Sequence, residues 1–437
     1  MAAGRVAVSL AAIAAAGFLS SCSRIAERRT SQPALDSAKQ TSTPPKKLRP
    51  LIAEPPDDHD ERGNLLNIAL GATIVSRSGE ASLDSSALMA VDGDPISGWT
   101  SPPGDLEQSL VVALPTRSRI DRIGVLNVTK APGAGSLAFE SSIDGVEFRP
   151  LGTIVAKQVE DLQLIAVPPT DSAFLRVTMK PGASSPRAIS ILSAQARGRE
   201  LEVPRPGRLD GCWSVNEAKA RFAQRGAHVR GIIEGEAPTF LDGGSDGRFF
   251  RLAWMRGPQY GMAGLSVSPD GKHLSGIVWY EEAIPLFFGT CWLGEQRACV
   301  NVLALPEEQV FRAFLDRVHR FPLYGLRFDS NGSLIAEESQ DMLALLESFL
   351  RRNPAVPLRL AAHEFHEADA ERNRARAQRE LDSLKSELQR LQVELTHVTF
   401  VAIGSDHPRQ QPLTEAQRGL YSSIDLELPP APGSTMQ

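Results

Sequence analysis

Residues 109–128 read SLVVALPTRSRIDRIGVLNV. Ser109 to Leu114 is apolar and β-branched, and Ile120-Asp121-Arg122-Ile123-Gly124-Val125 alternates as a half-buried strand does. Leu162 to Val167 and Phe174 to Met179 repeat the pattern, with Gly, Pro, Asp and Ser between the runs. No helix-length periodic segment interrupts them. The expected class for this part of the chain is therefore an antiparallel β-sandwich.

Residues outside this stretch need further folded units. The chain has 437 residues, 42% apolar and 23% charged, with 35 Gly and 31 Pro. That length exceeds one compact core and suggests two to four domains of about 150 residues. The composition excludes a collagenous, wholly disordered or polytopic membrane chain. Lys+Arg is 47 against Asp+Glu 52, a net charge of −5. Nothing here recommends nucleic acid as a partner, because phosphate binding needs a clustered positive surface.

The N-terminus reads as an address. Arg5 precedes an Ala-rich apolar run, Val6 to Leu19, too short for a stable membrane span. It ends in Leu19-Ser20-Ser21-Cys22, which resembles the bacterial lipobox. The resemblance implies a signal peptide over 1–22 and a lipidated Cys22. Acyl chains then hold the protein to a membrane at about 0.8 kcal/mol per buried methylene. Ser23 follows the Cys where an Asp tends to mark inner-membrane retention, so the expected location is the outer membrane, facing periplasm or cell surface. Residues 23–63, rich in Pro, Ser, Thr and charge, read as a disordered tether.

Residues 64–200 carry an ordered set of motifs: Asn67-Ile68-Ala69, Ala90 to Asp94 leading to Trp99, Gln108 to Leu114, Ile120 to Ile123, Ser142 to Phe148, and Ala173 to Val177. Together they resemble the discoidin, or coagulation-factor type C, family, which includes bacterial carbohydrate-binding modules. The resemblance spans about 130 residues and implies a jelly-roll sandwich with ligand loops at one end. It also implies a structural Ca²⁺ near Asp92 and Asp94, whose alternative is a tight turn with Gly93 at positive φ. Trp99 is read as core, with a sugar-stacking platform as its alternative. Few other rings lie in this stretch, and Arg77, Arg117 and Arg187 are the remaining polar candidates.

Residues 205–303 hold four of the five tryptophans, spaced among glycines. Phe249 to Trp254 and Leu274 to Tyr280 alternate, and Ser268-Pro269-Asp270-Gly271-Lys272 is a turn. The expected fold is a closed or nearly closed β-meander of about six strands, filled by its own rings. An envelope location permits disulfides. Cys291 and Cys299, flanking Leu293-Gly294-Glu295, are the expected bridge, with Cys212–Cys291 on neighbouring strands as the alternative.

Residues 305–430 read as helix (307–320), strand (324–328), helix (337–352), strand (356–362), helix (369–392) and two strands (396–403, 421–428), before a tail at 431–437. This order resembles the OmpA-like domain that binds peptidoglycan. The family's Gly-His-Thr-Asp corresponds to Ala362-His363-Glu364-Phe365, and its ligand-binding Arg corresponds to Glu380. Phe365 and Glu380 cannot copy the carboxylate–guanidinium pair that grips a zwitterionic ligand. His363 is retained, and Arg379 is one residue early. His363-Glu364-Phe365-His366-Glu367 with Asp369 looks metal-like, but the His spacing is i, i+3 at a strand–helix junction, so it reads as a surface polar loop.

No nucleophile elbow or phosphate loop appears, and the chain reads as non-enzymatic. The expectation is an outer-membrane lipoprotein acting as an adaptor toward envelope glycan or protein. The alternatives are a peptidoglycan anchor and a carbohydrate-targeted enzyme accessory.

Overall fold

The computed structural model describes residues 63–428 apart from 83–84, 95–96, 103–106, 128–134, 156–161, 181–189, 204–206, 281–289, 300–308, 366–368, 407–417 and 420. Cys22, the tether, Arg187, His366, Glu367 and the tail lie outside the described residues.

The sandwich strands are β1 (Thr73–Arg77), β2 (Trp99–Thr100), β3 (Gln108–Asn127), β4 (Ser136–Ser142), β5 (Arg149–Val155), β6 (Gln163–Lys180) and β7 (Ser190–Glu200). The sequence suggests separate strands at 109–114 and 120–128, and at 162–167 and 174–179. In each case the two runs form one long strand, β3 and β6. Their shared ladder is irregular twice, between Ala113 and Ser118, where Pro115 falls, and between Ile120 and Arg122, opposite Pro168-Pro169; proline cannot donate ladder hydrogen bonds, and the chain bends there. β1 pairs with the first half of β3, and β7 with the second half. The bent strands thus pass from one layer into the other. Leu110, Val112, Ile120, Ile123, Val125, Leu175, Val177 and Trp99 meet in one apolar cluster.

The second unit is a closed eight-stranded barrel, two strands more than expected. Its strands are β8 (Gly211–Val215), β9 (Ala218–Arg225), β10 (His228–Ile233), β11 (Thr239–Ser245), β12 (Phe249–Arg256), β13 (Gln259–Val267), β14 (His273–Tyr280) and β15 (Thr290–Arg297). In β9 and β10, Arg221, Gln224 and Arg230 dilute the apolar alternation. The interior is filled by the barrel's own side chains, among them Trp213, Phe222, Phe250, Leu252, Trp254, Leu265 and Val278.

The outer wall is also occupied. On β12 the even positions Phe250, Leu252 and Trp254 point inward. Phe249 joins the sandwich cluster, while Ala253 and Met255 join the cluster of the third unit. Met262, Ile277 and Trp279 likewise extend the sandwich core. A polar seam runs alongside. Ser266 Oγ donates to the Ala72 carbonyl (2.6 Å), and the Ile74 N–H donates to Ser275 Oγ (2.7 Å). Arg248 forks onto Glu200 at 2.8 and 3.0 Å.

The third unit is a four-stranded sheet packed with helices. It comprises α1 (Gln309–Val318), β16 (Arg320–Pro322), α2 (Ala336–Arg352), β17 (Leu358–His363), α3 (Ala370–Arg390), β18 (Val398–Gly404) and β19 (Ser423–Glu427). The sheet order is β16-β19-β17-β18, with β17 and β18 parallel. Asp369 caps α3 by accepting from the Glu371 and Arg372 N–H groups. The strand expected at Tyr324–Phe328 is instead β16, several residues earlier. Leu323, Tyr324 and Leu326 turn away and are buried. Gly244 permits this approach, since a Cβ there would stand 2.0 Å from the Tyr324 carbonyl oxygen.

The disulfide corrects the expectation. Cys212 pairs with Cys299, with Cα atoms 5.1 Å apart, and Cys291 is free. Barrel closure places β15 beside β8, with Arg297 opposite Cys212, so the end of the last strand reaches the first. Cys291 is the second residue of β15, its thiol pushed up to about 12 by burial. Opening this bridge with the pair C212S/C299S is expected to cost about 4 kcal/mol, because the closed loop is long. Urea unfolding with and without reductant checks it: the wild-type midpoint falls on reduction and the variant's does not move.

Candidate functional site

The polar residues of interest gather where the barrel meets the third unit. His228, on β10, is buried between two carboxylates. Its Nδ1 lies 2.7 Å from Asp341 of α2 and its Nε2 2.8 Å from Asp242 of β11. Burial disfavours the charged imidazolium, but the two carboxylates outweigh it and lift the ring from 6.5 to about 9. The ring is therefore an imidazolium at neutral pH and donates to both partners. The Asp341 carboxyl is held below its usual range, chiefly by the hydrogen bond from His228. One turn before Asp341, the Glu338 carbonyl accepts from the Ala227 N–H at 3.0 Å.

Arg251, on the outer wall of β12, reaches across the same junction. Its Nη1 donates to the carbonyls of Gly419 (2.9 Å) and Ser422 (2.8 Å). Its guanidinium stands 5.3 Å over the Tyr324 ring.

Beside it opens a cleft of about 120 Å³, lined by Arg251 and Asp246 of the barrel and by Tyr324, Glu364, Arg376 and Glu380 of the third unit. Arg376 Nε contacts Glu380 Oε1 at 3.1 Å and Glu364 Oε2 at 3.5 Å. Glu364 and Glu380 are only 4% and 5% exposed. Burial, followed by the neighbouring Glu364 charge, raises Glu380 to about 8. Glu380 thus favours its protonated form more than an ordinary carboxyl does. The arrangement suits binding of a small polar ligand, with a guanidinium and a carboxyl pair at one wall.

The sequence-derived candidates fall out as follows. Trp99 is fully buried and its indole N–H donates to the Gly79 carbonyl at 3.0 Å, so it is core and no sugar platform. Asp92 holds its turn: Oδ1 accepts from the Asp94 N–H (2.8 Å), Oδ2 accepts from Ser97 Oγ (2.6 Å), and Gly93 has φ 75°. No third acidic or histidine donor converges on Asp92 and Asp94 among the described residues, so a Ca²⁺ there would rest on backbone carbonyls. Arg77 pairs with Glu80 and Arg117 with Asp171. Arg379 does not enter the cleft. Its Nε donates to the Asn331 carbonyl at 2.9 Å, and Arg376, nearly one turn earlier, takes the inward position.

Phe365 packs edge-on against Tyr421 with centroids 6.1 Å apart. The surface-loop reading fails for His363 and Glu364, which are 5% and 4% exposed. Sequence reading missed Arg376, Arg251 and His228, and it set Glu364 aside as part of a surface loop. The i, i+4 pair Arg376/Glu380 was the one available signal.

No family model matches the chain, and no curated protein matches it. Solved structures similar to it include the C-terminal domain of a chitobiase from Bacteroides fragilis, 19% identical, with a TM-score of 0.28 over 30% of this chain and 96% of that one. A family 32 carbohydrate-binding module of Clostridium perfringens NanJ, solved with galactose, is 17% identical, with a TM-score of 0.25 over 31% and 97%. A further C. perfringens module, CpGH89CBM32-5, in complex with GalNAc-β-1,3-galactose, is 18% identical, with a TM-score of 0.26 over 30% and 98%.

Two titrations follow from this site. The raised His228 pKa stabilises the fold below 6.5, and that stability is lost as pH climbs through about 9. H228Q should be less stable than wild type by about 3 kcal/mol at neutral pH, with the gap closing in alkali, as read from urea midpoints across pH. Glu380 carries the same sign, because its carboxyl is raised from 4.5 to about 8: native stability falls as pH rises through that window. E380Q removes the fall, so it should gain on wild type between about pH 5 and pH 9.

Proposed function

We propose that this chain is a non-enzymatic, lipid-anchored binding and adaptor protein of the bacterial outer membrane. Cys22 carries the lipid, residues 23–63 form the tether, and the folded units meet envelope glycan or protein. The supporting observation is the use made of the barrel. Its interior is packed with its own rings and its wall is buried by the sandwich cluster on one flank and the third unit on the other. Such a barrel works as a rigid spacer that fixes two recognition units against each other. None of the helices searched among the described residues is long and apolar enough to cross a membrane, so in this reading the lipid supplies the attachment.

A second reading, a peptidoglycan anchor through the OmpA-like unit, draws support from Arg376 converging with Glu364 and Glu380. The departures at Phe365 and Glu380 mean the grip would differ from the family's.

Three measurements separate these readings. Palmitate labelling should mark the wild type, and C22S should lose both label and membrane association; a labelled C22S would sink the lipid anchor. A glycan array including galactose and GalNAc-β-1,3-galactose tests the sandwich, and pull-down on purified sacculi tests the third unit. Sacculus retention lost in R376A would favour the anchor. Retention unchanged in R376A, with array binding present, would favour the adaptor.

A further inference from the structure

Besides the cleft, a second polar cluster lies on the opposite face of the four-stranded sheet. Along β17 and β19 the side chains alternate between faces. Leu360, Ala362, Ile424 and Leu426 join the apolar cluster beneath the helices. Arg359, Ala361 and His363 therefore share the other face with Ser423, Asp425 and Glu427. The antiparallel register sets His363 opposite Ser423, Ala361 opposite Asp425 and Arg359 opposite Glu427. His363 Nε2 lies 3.8 Å from Asp425 Oδ2. One donor atom from each of His363, Asp425 and Glu427 falls within 4.8 Å of the others, and no other such group of three occurs among the described residues.

We propose that His363, Asp425 and Glu427 form a binding site for a divalent transition-metal ion, with zinc the fitting probe. The donor set is one imidazole nitrogen and two carboxylate oxygens, a mixture that suits zinc better than calcium or magnesium. Tetrahedral zinc places its donors about 3.3–3.6 Å apart, so closure needs side-chain adjustment of about 1 Å, within rotamer reach.

Three features prepare the site. The ligands stand on ladder-bonded strands, which hold their spacing. The register of β17 against β18 shifts between Ala362 and His363, and such irregularities re-aim the side chain that follows. Ser423 Oγ donates to Asp425 Oδ1 at 2.6 Å, orienting that carboxylate as an outer-shell partner orients a metal ligand. His363 and Asp425 are both buried.

Two guanidiniums also face the group. Arg320 stands 3.5 Å from Asp425 Oδ2, and Arg359 pairs with Glu427. A carboxylate offers about four lone-pair directions, so each can keep its Arg and still ligate. The Arg charges nevertheless compete, and the affinity expected is moderate rather than that of a closed structural zinc site.

The full mature protein, stripped with chelator, is titrated with zinc by calorimetry, and cobalt is used to report the donor set by visible absorption. The expected result is one equivalent bound per chain, weakened at least tenfold in H363A, D425N and E427Q. The cobalt bands should change when His363 is replaced, and zinc should raise the melting temperature of wild type alone. Absence of saturable zinc binding overturns the site. So does affinity in E427Q within twofold of wild type, measured on protein whose circular dichroism is native. Glu427 is only half-buried, so E427Q keeps the test decisive if H363A fails to fold.

Discussion

The structure depends on the two-residue period of the barrel strands. A strand sends alternate side chains to opposite faces, and here both faces have work to do. On β12, Phe250, Leu252 and Trp254 fill the barrel while Phe249, Ala253 and Met255 become parts of two other cores. A one-residue slip of this strand would exchange its two sets of side chains. The barrel register is thus held from three sides, by its own interior and by the two apolar clusters that take up its outward side chains.

Charge is used along the same boundary. Buried ion pairs add little net stability beside well-packed apolar residues, yet they are costly to break and penalise wrong alignments. His228 between Asp242 and Asp341 is such a buried group, and Arg251 on the carbonyls of Gly419 and Ser422 and the partly exposed Arg248 on Glu200 also tie the barrel to a neighbour. Each is satisfied only when the two units meet in one orientation. This gives the junction an angular definition that apolar contact alone lacks.

How far the sequence could be read follows from the range of each interaction. Alternation and turn residues act locally, so the sandwich, the barrel class and most elements of the third unit were legible. Where two runs merged into β3 or β6, proline marked the place but did not say whether the chain would stop or bend. The cleft was legible only in part. Arg376 and Glu380 are one helical turn apart, whereas His228 finds Asp341 across 113 positions and Arg251 finds Ser422 across 171. Pairings of that span are fixed by how units dock, which local pattern does not encode. The same holds for cysteine: Cys291 looked nearest to Cys299 along the chain, but closure of the barrel brought Cys212 nearer in space.

That bridge has a mechanical meaning. Cys212 opens the barrel's first strand and Cys299 follows its last, so the covalent path from the sandwich to the third unit can cross in one step, from sulfur to sulfur. A pull along the chain between those two units travels through the disulfide and leaves the strands between the two cysteines out of the load path. The barrel is in effect a loop hung on a closed link. The barrel would keep its shape under tension that could unravel an unlinked meander.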